Sequence, residues 1–257
     1  MEKRMLCALL CLMMLFAVAA QAASGGAYRD VQRKLQQYGF DCDDADYDRV
    51  VQKMEADRQW LASMGMLTGS MYESPRYFAY VYLMEEGLGQ YDYNTFTWTP
   101  TSDKVYAFDA EVFNIEGMYT EILLGVDAIV PDITITDVQE DLSGITEEMD
   151  FETYSDGTRK VSFLCNGHPY EIELISYGDW VDIAFFDFLD EVLAKEGCPK
   201  QLYALTHPMD QMILIYYGNE NDAREIAYMM DYMNYAEMEE EEPGGLMDVL
   251  KDFLNND

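Results

Sequence analysis

The sequence predicts an α+β protein with an N-terminal helical segment packed on a mostly antiparallel sheet that carries helices on one face. Apolar residues follow helical spacing up to about residue 90 and strand-like alternation after it. A predicted hairpin followed by a predicted helix then occurs twice in succession. This order is typical of antiparallel sheets with helices packed against them.

Three helices are predicted before residue 91. The apolar stripes of the first two end at Gly39 and Gly65, and glycine often follows the last residue of a helix. The third helix has Ser74 as its N-cap and Pro75 in its first turn, where proline is tolerated. The stripes consist of Tyr28, Val31, Leu35 and Tyr38; of Val50, Met54, Leu61 and Met64; and of Phe78, Val81 and Tyr82.

The middle of the chain is predicted to form strands. Aromatic and β-branched residues dominate from Tyr91 to Trp98 and from Val105 to Phe108, and alternation returns from Ile133 to Val138. A helix over 115–129 separates the last two stretches. The strands on either side of Asn166-Gly167 predict a hairpin, because these two residues tolerate the positive φ angles of a tight turn.

The last third of the chain is predicted to repeat the order of hairpin and helix. A helix capped by Asp179 and carrying Val181 and Phe185 ends at Gly197. Strands at 202–205 and 212–217 and a helix at 220–235 follow. The predicted organisation is a signal peptide (1–22), a helical segment (23–90), an α+β domain (91–235), and an acidic linker with a short amphipathic helix (236–257).

The N-terminus has the layout of an export signal. Lys3 and Arg4 precede an apolar run from Met5 to Ala19, and small residues follow up to a predicted cleavage site after Ala22. The run is shorter than the roughly 20 residues that span a bilayer, and no later segment is long and apolar enough to do so. We therefore expect an exported protein in the cell envelope or outside the cell. An uncleaved N-terminal anchor is the alternative.

The charge of the chain restricts its partners. Residues 1–22 hold two of the 16 basic and one of the 49 acidic residues, so their removal changes the formal charge from −33 to −34. Such a surface repels the phosphates of nucleic acids and attracts cations or a basic protein. We therefore expect no nucleic-acid partner, whereas a basic protein or a cation is compatible with the charge.

Three cysteines remain after the predicted cleavage: Cys42, Cys165 and Cys198. Export permits a disulfide, and the sequence leaves all three pairings open. With His168 and His207, the two later cysteines are candidates for zinc ligands, although only Cys165 and His168 have ligand spacing, or for a catalytic thiol and imidazole. The Cys165 and His168 pair flanks the predicted hairpin turn, where two residues face each other for structural reasons alone.

An acidic cluster before the second helix is a candidate calcium site. Asp44, Asp46, Asp48 and Glu55 match positions 1, 3, 5 and 12 of an EF-hand loop, and calcium prefers such oxygen ligands. Arg49 stands where the loop needs glycine. The alternative is an acidic first turn that stabilises a helix N-terminus. Calcium is the one cofactor that the sequence suggests.

The function expected from the sequence is a noncatalytic protein- or ligand-binding module. The sequence contains no nucleophile-elbow, P-loop, dinucleotide-binding or zinc-protease motif. Tyr91, Tyr93 and Trp98 are candidates for stacking on a ligand, with burial in the core as the alternative. A secreted hydrolase with a thiol or a carboxylate pair, and a calcium-binding exported protein, are the two other functions considered.

Overall fold

The computed structural model describes residues 26–65, 70–92, 94–95, 97–112, 114–150, 154–207 and 210–234. The predicted signal peptide, the predicted acidic linker and the C-terminal helix lie outside these residues, as does Tyr93. The chain divides into two compact units, Met1–Tyr82 and Leu83–Asp257. The boundary between them falls inside the third helix.

The described residues contain helices α1 (26–37), α2 (Asp44–Ser63), α3 (Pro75–Gly87), α4 (Met118–Ile129), α5 (Ala184–Glu196) and α6 (Glu220–Met230). Their strands are β1 (Gln90–Asp92), β2 (Thr97–Thr99), β3 (Val105–Asp109), β4 (Ile135–Asp141), β5 (Ile145–Asp150), β6 (Ser155–Cys165), β7 (His168–Ser176), β8 (Gln201–Thr206), β9 (Met212–Gly218) and β10 (Met233–Asn234). Every strand pairing between them is antiparallel. The α+β class is therefore confirmed.

The described part of the N-terminal unit contains the first two predicted helices and the third helix as far as Tyr82. The Asp43 side chain accepts hydrogen bonds from the backbone of Ala45 and Asp46, which fixes the start of α2. Ser74 Oγ accepts from Tyr77 N at 3.1 Å, so the predicted N-cap of α3 is confirmed. The buried core between the helices includes a ring stack of Tyr28 on Phe78.

The C-terminal unit contains two larger sheets. One has the strand order β10, β8, β9, β3; in the other, β6 pairs with β7 on one side and with β4 and β5 on the other. The predicted hairpin joins β6 to β7. Asn166 and Gly167 have φ angles of 52° and 82°, as a two-residue turn of this kind requires.

Helices α4 and α5 lie between these two sheets. Helix α4 contacts β4, β3 and β9, whereas α5 contacts β7 and β8. Their apolar residues form one core with the inward side chains of both sheets, such as Val161 and Ile215. The sheet of β4 to β7 thus carries helices on one face, as predicted. The sheet of β10, β8, β9 and β3 also carries α6, which packs against β8 and β9 outside that core.

Helix α4 is apolar around most of its circumference because it is packed from both sides. Gly125 allows a close approach to β3, since a Cβ atom at this position would lie 2.5 Å from the ring of Tyr106. In the described residues, no helix has both the length and the apolar character needed to cross a bilayer.

The predicted start of α5 is wrong. The helix begins at Ala184, and Asp182, rather than Asp179, accepts a hydrogen bond from its first backbone N–H. Asp179 lies before the helix because its carbonyl accepts from Val112 N and because Val181 N donates to Ala110 O. These contacts hold the segment beside the end of β3.

The predicted end of α6 is also wrong. Asp231 has a φ angle of 66°, which ends the helix at Met230 instead of residue 235. Met233 and Asn234 then pair with β8 as strand β10. Strand β5 has no counterpart among the predicted elements.

Candidate functional site

The end of the β6–β7 hairpin meets the last turn of α5 at a polar cluster, which we call the Glu196 cluster (Asn166, His168, Tyr170 and Glu196). The Asn-Gly turn positions the first two side chains, and the left-handed Gly197 ends α5 directly after Glu196. Glu196 Oε1 lies 2.9 Å from His168 Nδ1 and 2.5 Å from the Tyr170 hydroxyl, and Oε2 lies 3.2 Å from Asn166 Nδ2. One carboxylate therefore ties the hairpin to the helix.

The Glu196 cluster orients the histidine. The Glu196 side chain is only 5% exposed, whereas that of His168 is 71% exposed. Because Nδ1 contacts the carboxylate, the other ring nitrogen is available to solvent, which is the geometry of a supported metal ligand or of a general base.

The hydrogen bonds of the Glu196 cluster shift two pKa values in opposite directions. The pKa of Glu196 lies below its usual value, because the Tyr170 hydroxyl and then His168 and Asn166 stabilise its ionised form. The same bond to Glu196, together with partial burial, raises the pKa of Tyr170 to about 12. Glu196 is therefore the ionised centre of the cluster at neutral pH.

This shift predicts an acid dependence of stability. A carboxylate with a lowered pKa in the folded protein stabilises the fold above its unfolded pKa, near 4.5, and this contribution disappears as the pH falls through the folded value. We expect Glu196→Gln to be destabilised relative to the wild type at pH 7 and the difference to shrink below pH 4.5. Urea denaturation at pH 7 and pH 3.5 measures it. Glu191→Gln, an exposed residue of the same helix, is the control, and an equal pH dependence in both variants contradicts the prediction.

Both thiols of the C-terminal unit lie beside the Glu196 cluster. Cys165 is buried in the core at the end of β6, and Cys198 packs against the same core just after α5. Burial, followed by the charges of Glu196 and Cys198, raises the pKa of Cys165 to about 11. Burial and then Asp132 raise the pKa of Cys198. Both thiols are therefore protonated at neutral pH, unlike activated nucleophiles.

The structure thus gathers three of the four predicted thiol and imidazole candidates: Cys165, His168 and Cys198. His207 does not join them, because it follows the far end of β8, a strand of six residues that spans about 20 Å. Its ring lies 6.2 Å from that of Tyr232.

The four candidate calcium ligands lie along one helix. Asp44 and Glu55 belong to α2 and are separated by about 16 Å along its axis at 1.5 Å per residue. Asp44 bonds to Arg29, Asp46 to Arg49 and Glu55 to Arg58, and hydrogen bonds from Arg58 and Gln59 lower the pKa of Glu55 to about 2. The predicted loop is therefore helical, as the alternative expected, and Asp48 lies on the same helix.

Metal ligation has no assembled site in the described part of the chain, where no three His, Cys, Asp or Glu side chains are arranged to hold an ion. Calcium binding stays a prediction of the sequence. Residues 44–55 form part of helix α2 instead of the loop that an EF-hand site needs.

Two of the three aromatic candidates, Tyr91 and Trp98, lie on the paired strands β1 and β2, and with Leu88 they form what we call the aromatic surface. Tyr91 and Trp98 are paired across the two strands. The Trp98 ring packs edge-on against Tyr106 at 5.0 Å, and its Nε1 donates to Leu88 O at 3.0 Å. Trp98 is thus partly a core residue, whereas Leu88 and Tyr91 are 43% and 36% exposed.

Sequence reasoning missed a buried ion pair, Arg159 with Glu140. Arg159 Nη1 lies 3.0 Å from Glu140 Oε2, and both side chains are almost fully buried. Arg159 shares the inward face of β6 with Val161 and Phe163, and this alternation was the available signal. The predicted strand began one residue later, at Lys160.

Comparisons with known proteins give no function for this arrangement of residues. No family model, curated protein or solved structure matches the chain. The Glu196 cluster and its surroundings offer an oriented imidazole and two protonated thiols. The exposed aromatic surface lies elsewhere, on the β1–β2 hairpin. Of these, the aromatic surface is suited to binding without chemistry.

Proposed function

We propose that this protein is an exported, acidic, noncatalytic binding module and that residues 1–22 are removed during export. The observation that carries the binding role is the aromatic surface, where the exposed Tyr91 is the cross-strand neighbour of Trp98 and the exposed Leu88 accepts a hydrogen bond from the Trp98 indole through its carbonyl. Aromatic side chains contribute strongly to binding because they bury a large area with few rotatable bonds.

The anchoring of the β1–β2 hairpin supports this role. Trp98 fills the space between the hairpin and the core, and Gly89, with a φ angle of 65°, lets the backbone pass close to the indole. A Cβ atom at Gly89 would lie 2.7 Å from that ring. A surface held in place in this way loses little conformational freedom when a ligand binds, which favours affinity.

The electrostatics suggest which partner fits. Asp92 follows Tyr91 on the exposed strand β1 with its side chain on the opposite face of the strand, and hydrogen bonds from Asn94 and Thr95 keep its pKa below the usual value. The whole chain carries a formal charge of −33. The proposed partner is therefore a basic protein segment with an apolar side chain that packs on Tyr91 and Leu88.

The thiol chemistry of a hydrolase has less support. A nucleophilic cysteine needs a lowered pKa to form its thiolate, whereas burial raises the pKa of Cys165 to about 11. Its neighbour Cys198 is shifted in the same direction. These shifts favour a binding role over the thiol alternative.

The test compares variants of the full chain in capture experiments from extracts of its source. We expect Tyr91→Ala to lower the amount of captured partner at least about tenfold relative to the wild type. Added salt is expected to release the partner, because it screens the charges. Tyr228→Ala removes a tyrosine of α6 that is more exposed than Tyr91, 64% against 36%, and is expected to leave capture unchanged.

Equal capture by the Tyr91 and Tyr228 variants contradicts a binding role for the aromatic surface. Export is tested separately by the intact mass of the protein recovered outside the cytoplasm. A mass that retains residues 1–22 contradicts cleavage after Ala22.

A further inference from the structure

The two cysteines of the C-terminal unit are brought together by elements that are far apart in the sequence. Cys165 is the last residue of β6, and Cys198 lies two residues after the end of α5. The neighbouring residues are in contact, since Asn166, next to Cys165, bonds to Glu196, two residues before Cys198. Both sulfur-bearing side chains pack in the same core.

The surroundings of Cys198 converge on the same place. Asn166 Nδ2 donates to Asp132 O, and the Tyr217 hydroxyl donates to Asp132 Oδ2. Cys198 interacts with both Asp132 and Tyr217. Cys42, in contrast, belongs to the N-terminal unit, where Gln32 and Gln36 donate to its carbonyl.

We propose that Cys165 and Cys198 form an oxidation site, at which a disulfide oxidant joins them by an intramolecular bond. This selects one of the three pairings that the sequence left open. Exported proteins meet such oxidants, so the physiological setting rests on the proposed export. The reaction itself can be tested in vitro without that assumption.

The reaction proceeds by two thiol–disulfide exchanges with a small disulfide such as oxidised glutathione. Cys198, the more exposed of the two thiols, loses its proton, and its thiolate attacks one glutathione sulfur and displaces a glutathione thiolate. The Cys165 thiolate then attacks the Cys198 sulfur and displaces the second glutathione. The two cysteines together lose two protons and two electrons, and the oxidant is reduced to two thiols.

The environment of the thiols determines the rate. Because burial raises both pKa values, thiolates are rare at neutral pH and each pH unit increases their fraction about tenfold. We therefore expect slow oxidation at pH 7 and a rate of cross-link formation about tenfold higher at pH 8. A rate that does not change with pH contradicts attack by these thiolates.

The experiment uses the full chain with Cys7→Ser and Cys11→Ser. The protein is incubated with oxidised glutathione, alkylated in denaturant and digested with trypsin without reduction. Trypsin cleaves after Lys160, Lys195 and Lys200, so the two cysteines fall on peptides 161–195 and 196–200. Mass spectrometry is expected to find these peptides joined, with a mass two hydrogens below their sum.

Two variants serve as controls. Cys42→Ser is expected to leave the cross-link unchanged, whereas Cys198→Ser is expected to abolish it. Recovery of peptide 196–200 with glutathione on Cys198 and of Cys165 as an alkylated thiol overturns the proposal. So does a cross-link from either cysteine to Cys42. The wild-type peptide map decides the question even where a variant folds poorly.

Discussion

Arg159→Ala is expected to lower the free energy of unfolding by about 3–5 kcal/mol, because it leaves a buried carboxylate without its counter-charge. The side chains of Arg159 and Glu140 are 1% and 3% exposed. Glu140 also accepts hydrogen bonds from Thr120 N and Oγ1, which hold it in place beneath α4. Urea denaturation followed by circular dichroism measures the loss.

Two comparisons separate the buried ion pair from charge in general. Lys195→Ala breaks the exposed bridge to Glu191 and is expected to cost less than about 1 kcal/mol. The double variant Arg159→Met with Glu140→Leu removes both charges and is expected to recover most of the stability. If Arg159→Ala costs no more than Lys195→Ala, Glu140 does not depend on Arg159.

Leu123→Ala is expected to destabilise the protein by about 2–5 kcal/mol. Leu123 is completely buried on α4 between the two sheets, so its truncation removes apolar contacts and leaves a cavity. The next residue, Leu124, is 44% exposed. The same substitution there is expected to cost less than about 1 kcal/mol.

The Leu123 and Leu124 variants differ in burial but share their helix, residue type and change in helix propensity. A difference in unfolding free energy between them therefore reports burial alone, and thermal denaturation offers a second measurement of it. Equal losses in the two variants would show that α4 is not packed between the sheets as described.

The elements that the sequence predicted are those fixed by local chemistry. The turn at Asn166 and Gly167 depends on two adjacent residues that tolerate positive φ angles, and the hairpin follows from them. Ser74 caps α3 through a bond to a residue three positions away. In both cases the deciding contacts lie within a few residues.

The wrong predictions concern contacts between distant residues. Asp179 is a good N-cap residue, yet its backbone bonds to Val112 and the helix begins later. Likewise, nothing near Glu140 in the sequence identifies Arg159 as its partner, because β4 and β6 bring them together. Residue spacing carries no information on such pairings.

In the candidate site, too, the contacts between near neighbours in the sequence were predictable and those between distant residues were not. The proximity of Cys165 to His168 follows from the hairpin and was predictable. The position of Glu196 was not, because it bonds to residues 26 to 30 positions earlier in the chain. The pKa shifts of the thiols depend on this tertiary environment, so the sequence could offer the thiols as candidates without deciding their reactivity.

The edge formed by β7 has a consequence for the behaviour of the protein at high concentration. Among the described strands, β7 pairs with β6 alone. On its outer edge, Pro169 has no N–H and Ile175 N donates to Asp182, and the alternate positions between them hold the exposed Glu171 and Glu173. Two copies that approached through this edge would bring like charges together. The carboxylates on this edge therefore oppose aggregation by strand addition.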